Sequence, residues 1–189
     1  MDRENLLKFS LLAGIIACIT GIIAEICFIF IPLFSWSFVS YNRVSLVGSL
    51  IEGIKLLMSG SDYQAMVLLS IVVDASILFS AIVLIINAGK DLIKDINNFM
   101  SFEAYCAEEA NKSESEIAME KEIRNLKKKK RGSIFGHVFA FILVFGLFPL
   151  FSDGLESVNL VFIIITLLFA IANGVCSFVS NRLKKMSRN

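Results

Sequence analysis

Four stretches of this sequence each run for roughly twenty residues with almost no charge: Phe9–Phe34, Met66–Ala88, Ser133–Phe151 and Leu160–Ser180. A helix of that length covers ~30 Å, the hydrocarbon thickness of a bilayer. Lipid offers the backbone no hydrogen-bond partner, so such runs cross as helices. The pattern predicts an all-α integral membrane protein, a four-transmembrane-helix bundle. Its hydrophobic share of 56% exceeds the roughly 45–50% of soluble domains. The first run is longer than the h-region of a secretory signal and carries Glu25, so it reads as a retained span.

Charge placement sets the expected orientation. The loop 35–65 carries only Arg43 and Lys55 as bases, whereas 89–132 carries ten Lys and Arg, five of them in KKKKR at Lys127–Arg131. The tail 181–189 is basic as well. The positive-inside rule then places both termini and the larger loop in the cytoplasm of a multi-pass plasma-membrane protein. Anionic lipid is the natural partner of that basic cluster. No nucleic acid is expected, because nine Asp and Glu share the loop. Abundant Ile, Phe, Asn and Lys fit an AT-rich bacterial genome.

The outer loop alternates apolar and small polar residues (Phe34, Trp36, Phe38, then Val44, Leu46) around Tyr41-Asn42-Arg43, which predicts a hairpin. Trp36 and Tyr41 also suit interfacial anchoring beside a span. Ser49 and Glu52 have capping-box spacing, and Leu50, Ile51, Ile54, Leu57 and Met58 share a helical face until Ser59-Gly60. This predicts a short amphipathic helix lying on the outer surface. The FSWSF and VSLVGSLIEGIKLL segments resemble the first external loop of small uncharacterised four-span proteins of Gram-positive bacteria, a likeness of about 25 residues that implies no activity. The arrangement is also similar to that of claudins, without their paired loop cysteines.

On the other side, Leu92, Ile96, Phe99 and Met100 form a stripe that continues the second span, and Ser113 with Glu116 opens a second helix by capping-box spacing. Together they predict a helical arm, mobile or ordered by a partner because it carries few large apolar groups.

Within the spans, Glu25 and Asp74 interrupt apolar sequence. Counted from the outer ends of their runs, both lie ~12–14 Å deep, and Thr166 falls near the same level. Ala13, Ala17, Gly21 and Glu25 recur every fourth residue, as Ser70, Asp74 and Ala81 and then Thr166, Ala170 and Asn173 share stripes, so the polar groups are expected to face neighbouring helices. Two carboxyls meeting there would share a proton. Glu25, Asp74, Thr166 and Asn173 thus form either a structural hydrogen-bonded contact or a proton or cation site.

Other chemistry lacks residues. One histidine, His137, excludes a multi-histidine metal centre, and no CxxC, G-x-S-x-G, P-loop or HExxH spacing occurs. Arg131 and His137 have the R-x5-H spacing of HEPN ribonucleases, but they straddle the end of a span, where His137 reads as a neutral interfacial residue. No catalytic residue, metal or cofactor is implied. The sequence points to a non-enzymatic protein acting through protein contacts in an accessory, assembly or immunity-type role, with a second copy or another membrane protein as partner. The alternative is a proton- or cation-coupled transporter or channel using Glu25 and Asp74.

Overall fold

The computed structural model describes residues 2–30, 34–35, 43–60, 64–113, 115–120, 122–123 and 160–188. The elements are α1 (Arg3–Phe30), β1 (Phe34–Ser35), β2 (Arg43–Val44), α2 (Leu46–Met58), α3 (Gln64–Met100), α4 (Phe102–Asn111) and α5 (Leu160–Met186), with further helix at 115–120. Among the described residues, three helices are long and apolar enough to cross a membrane: α1, α3 from Val67 and α5 from Ile164. The chain is a helical membrane protein. The run Ser133–Phe151, Trp36, Tyr41, His137 and the KKKKR cluster lie outside the described residues.

Small residues set how α1 and α5 pack. Ser10, Gly14, Ala17, Gly21, Ala24 and Phe28 are buried, in steps of alternately four and three residues. That seven-residue period keeps a stripe facing its neighbour in a left-handed supercoil. The expected every-fourth-residue stripe is corrected accordingly: Ala13 is only half-buried, because a strict i+4 row drifts around the helix. The Ser10 hydroxyl donates to the Ser180 carbonyl at 2.9 Å, the Ser180 hydroxyl donates to the Ser10 carbonyl at 2.8 Å, and the Asn173 amide donates to the Ala17 carbonyl at 2.7 Å. One heptad separates these rungs on each helix, so α1 and α5 are antiparallel.

Helix α3 runs antiparallel to α1 as well. Gly14 sits against the Asp95 side chain, and two heptads further along α1, Phe28 shares a core with Ala81. That core joins Ala24, Phe28 and Ile29 of α1, Leu46 of α2, Ala81 of α3 and Ala170 of α5. With no Cβ at Gly14 and methyl groups at Ala24, Ala81 and Ala170, the backbones approach closely, as membrane helices do.

The short helix α2 differs from its expected form in cap and in face. Its N-cap is Ser45, whose hydroxyl accepts from the Gly48 amide at 3.1 Å, four residues before the expected Ser49. The stop at Ser59-Gly60 stands, with Gly60 at φ 72. The buried side consists of Leu46, Ser49 and Gly53, whereas Ile51, Ile54 and Met58 are 49%, 48% and 84% exposed. Amphipathic reasoning assumes water outside and grease inside. Here the small polar side meets α3, and the apolar side faces outward. Before α2, Phe34 pairs with Val44 and Ser35 with Arg43 in a two-residue antiparallel ladder, which places Arg43 in the ladder and not at a turn.

Beyond α3, the chain breaks at Ser101, whose hydroxyl donates to the Asn97 carbonyl at 2.7 Å, and α4 continues in the same sense along the start of α1. Leu7 and Leu11 pack on Tyr105, with Phe99 and Phe102 beside them, while Ile96 and Met100 of the expected stripe stay exposed. The second arm helix opens on a reciprocal capping box: the Ser113 amide donates to Glu116 Oε2 at 2.8 Å, and the Glu116 amide donates to Ser113 Oγ at 3.3 Å.

Candidate functional site

Asp74 lies half-buried on α3, and its Oδ2 accepts a hydrogen bond of 2.6 Å from the Ser49 hydroxyl of α2. One turn along, Gly53 rides against Ile71, where an added Cβ would stand 2.9 Å from the Ile71 Cγ1 atom. The carboxylate therefore pins α2 to α3. Ser49→Ala should lower stability by about 1–2 kcal/mol by leaving a polar carboxyl without this donor. Gly53→Val should lower it by about 1–3 kcal/mol by forcing the helices apart. Thermal unfolding in detergent measures both, and wild-type midpoints for the two variants would show that α2 is not held by this contact.

Glu25 is fully buried on α1, between Ala24 and the core residue Phe28. The rungs at Ser10–Ser180 and Ala17–Asn173 extend by one further heptad to place Thr166, also fully buried, opposite Ala24 and beside Glu25. These two polar groups share a level. Asp74 does not. From Gly14 to Glu25 α1 rises about 16 Å, whereas from Asp95 back to Asp74 α3 rises about 31 Å, so Asp74 stands ~15 Å beyond Glu25 along the bundle. The expected equal depth came from where the apolar runs end. Packing instead follows the small-residue register, which leaves the first turns of α3 beyond α1 to receive α2.

Of the predicted group, then, the register sets Glu25 and Thr166 at one level, Asn173 lies one heptad away as a rung to the Ala17 carbonyl, and Asp74 belongs to the α2 contact. Trp36 and Tyr41 lie outside the described residues. Among the described residues, no three His, Cys, Asp or Glu side chains converge to hold a metal ion.

The sequence reading missed an ion cluster where α1 begins and α5 finishes. Glu109 of α4 is 3% exposed. Its carboxylate takes Lys112 Nζ at 2.6 Å, Lys184 Nζ at 3.1 Å and Arg188 Nη2 at 2.8 Å. Arg188 Nη2 also reaches Glu120 at 2.9 Å, and the Arg3 guanidinium donates to the Glu109 carbonyl at 3.2 Å. Lys184 lies over the Tyr105 ring, 5.5 Å from its centre. Burial acts to raise the Glu109 pKa, but hydrogen bonds from Lys112 and Arg188 and the charge of Lys184 outweigh it and bring it down to about 2. Glu120, where burial is likewise opposed by Arg188 and Lys184, is also lowered to about 2. Both acids are thus held ionised, and their ion pairs tie the arm to α5. The available signal was spacing: Glu109 with Lys112 at i,i+3 and Lys184 with Arg188 at i,i+4 read as same-side charges on a helical pattern, although Lys112 caps α4 and Arg188 follows the end of α5.

Beside the cluster, a cavity of about 330 Å³ is lined by Glu4, Phe102, Glu103, Cys106 and Ala107. Burial and the nearby Glu4 push the Cys106 thiol up, which disfavours the thiolate form needed for nucleophilic work. Comparison with known proteins finds no matching family, no similar characterised protein and no solved structure of similar fold.

Proposed function

We propose that the chain is a non-enzymatic four-span membrane protein that works through protein contacts, in an accessory, assembly or immunity-type role. The carrying observation is how its polar groups are used. Asp74 on Ser49, Asn173 on Ala17, Ser10 with Ser180 and Glu109 with its three cations all join this chain's own elements. The outward side of α2, with Ile51, Ile54 and Met58, is then the face offered to another membrane protein or a second copy.

The direction of the helices supports the fourth span. Both α3 and α5 run antiparallel to α1, and Glu120 meets Arg188 where α5 finishes. A chain that leaves the arm at that end and enters α5 at Leu160 has to return across the bundle within residues 124–159. The run Ser133–Phe151 has the length and composition for it. With KKKKR preceding that run, the positive-inside rule puts both termini and the arm in the cytoplasm.

A photo-crosslinking residue at Met58, used in native membranes, is expected to yield a discrete protein adduct. Lipid adducts alone would reject the contact reading. The burial of Glu25 beside Thr166 favours a second reading, a proton- or cation-coupled transporter or channel with Asp74 as a further group on the path. On the contact reading, proteoliposomes show no pH-dependent flux, with or without Glu25→Gln or Asp74→Asn. A flux abolished by either substitution in a folded protein would establish transport instead.

A further inference from the structure

The two ends of α4 are held in opposite ways. Between Met100, the last residue of α3, and Phe102, the first of α4, the chain turns at Ser101 with φ −106 and ψ 48, and no side chain caps the new helix. Next to this turn the docking is loose. The cavity of about 330 Å³ separates Glu4 of α1 from Phe102, Glu103, Cys106 and Ala107 of α4. Glu4 and Glu103, both exposed, put like charges on its walls, and these repel across it. At the far end α4 is held by charge. Glu109 binds Lys184, in the last turn of α5, and Arg188, just past it, and the same two cations reach Glu120 of the following helix.

Of the ten residues of α4 only Tyr105 and Glu109 are buried. A helix of that length is marginal in water without packing partners, and a segment with so few buried apolar groups sits at the low end of local stability. Half of its buried side chains is the acid that α5 holds. While docked, Tyr105 covers Leu7 and Leu11 of α1, which are 2% and 5% exposed. We propose that α4 is a hinged strap: it swings about Ser101, the repulsion of Glu4 and Glu103 presses it open, Lys184 and Arg188 catch it shut, and its release uncovers Leu7 and Leu11 at the start of α1. The parts belong to α1, α4 and α5 alone, so the device holds on either functional reading above.

Spin labels at Asn111→Cys and Met186→Cys, two exposed sites on α4 and α5, test it in the full-length protein in lipid nanodiscs, with Cys18, Cys27, Cys106 and Cys176 replaced by alanine. The closed strap gives one short, narrow distance by pulsed electron resonance. Lys184→Gln/Arg188→Gln should abolish most of that peak in favour of a long, broad distribution, because a buried carboxylate loses two of its three cations. Adding Glu4→Gln/Glu103→Gln to this variant should bring the closed-to-open ratio back by about threefold, the size of a repulsion between exposed charges. Labels at Ile19→Cys and Ile171→Cys, on exposed sides of α1 and α5, should read one distance throughout, which separates release of the strap from unfolding of the bundle. Should the double substitution disturb that distance, Arg188→Gln alone, beyond the end of α5, repeats the measurement. A short peak that persists without the cations would remove the catch, and an open share that Glu4→Gln/Glu103→Gln leaves unchanged would remove the spring. Either result overturns the device.

Discussion

Glu109→Ala is expected to destabilise docking of the arm by about 3 kcal/mol, because three partly buried cations are then left to share Glu120 alone, which lies 2.9 Å from Arg188 but 3.7 and 3.8 Å from Lys112 and Lys184. Those cations, Lys112, Lys184 and Arg188, keep only 20%, 18% and 17% of their side-chain surface exposed, so water does little to replace the lost carboxylate. Amide exchange of Phe102–Asn111 should speed up by about a hundredfold, the equivalent of that free energy at 1.36 kcal/mol per decade. Unchanged exchange in the variant would mean that the apolar contacts of Leu7, Leu11 and Tyr105 hold α4 alone. The wild type carries the same sensitivity to acid. Glu109 and Glu120 have folded-state values of about 2 against an ordinary 4.5, so their ionisation favours the docked arm in full above pH 4.5. That contribution disappears as pH falls from about 4.5 to about 2. Exchange of α4 should rise across this window in the wild type and stay flat in Glu109→Ala/Glu120→Ala.

Ala170→Leu should destabilise the bundle by about 2–3 kcal/mol. Ala170 is completely buried where α5 meets Ala24 and Phe28 of α1 and Ala81 of α3. The extra carbons of leucine have no room unless helices separate, and separation also strains the Asn173–Ala17 rung one turn away. Phe79→Leu, at a side chain 71% exposed, is the matching control and should change stability by no more than about 0.5 kcal/mol. Thermal unfolding of both variants in one detergent compares them directly. Equal midpoints would show that the interface of small residues is not tightly packed.

The spans α1, α3 and α5 were readable from sequence because a twenty-residue apolar run has few other outcomes in lipid. The same holds for the Ser113–Glu116 box, where both partners are local and exposed and nothing else competes for them. Ser49–Glu52 has identical spacing but a different outcome, since Ser45 takes the cap and the Ser49 hydroxyl is drawn to Asp74. The level of Asp74 relative to Glu25 was illegible for a related reason: run ends fix depth only to several residues, and the register is decided by which small residues meet. Glu25 and Thr166 fall at one level by the α1–α5 register because the heptad rungs of those helices coincide with their run ends. The ion cluster was hidden by distance in sequence, Glu109 and Arg188 being far apart along the chain and each unremarkable alone.

The meeting of Gly14 with Asp95 carries a consequence for the surrounding lipid. It sets the exposed Lys90 and Lys94 of α3 about level with Ile16 and Ile19 of α1. In a flat leaflet the two lysines have to extend their side chains towards the headgroups beside those apolar residues. A thinner bilayer shortens that reach, so the thermal midpoint in short-chain phospholipid is expected to lie above that in long-chain phospholipid.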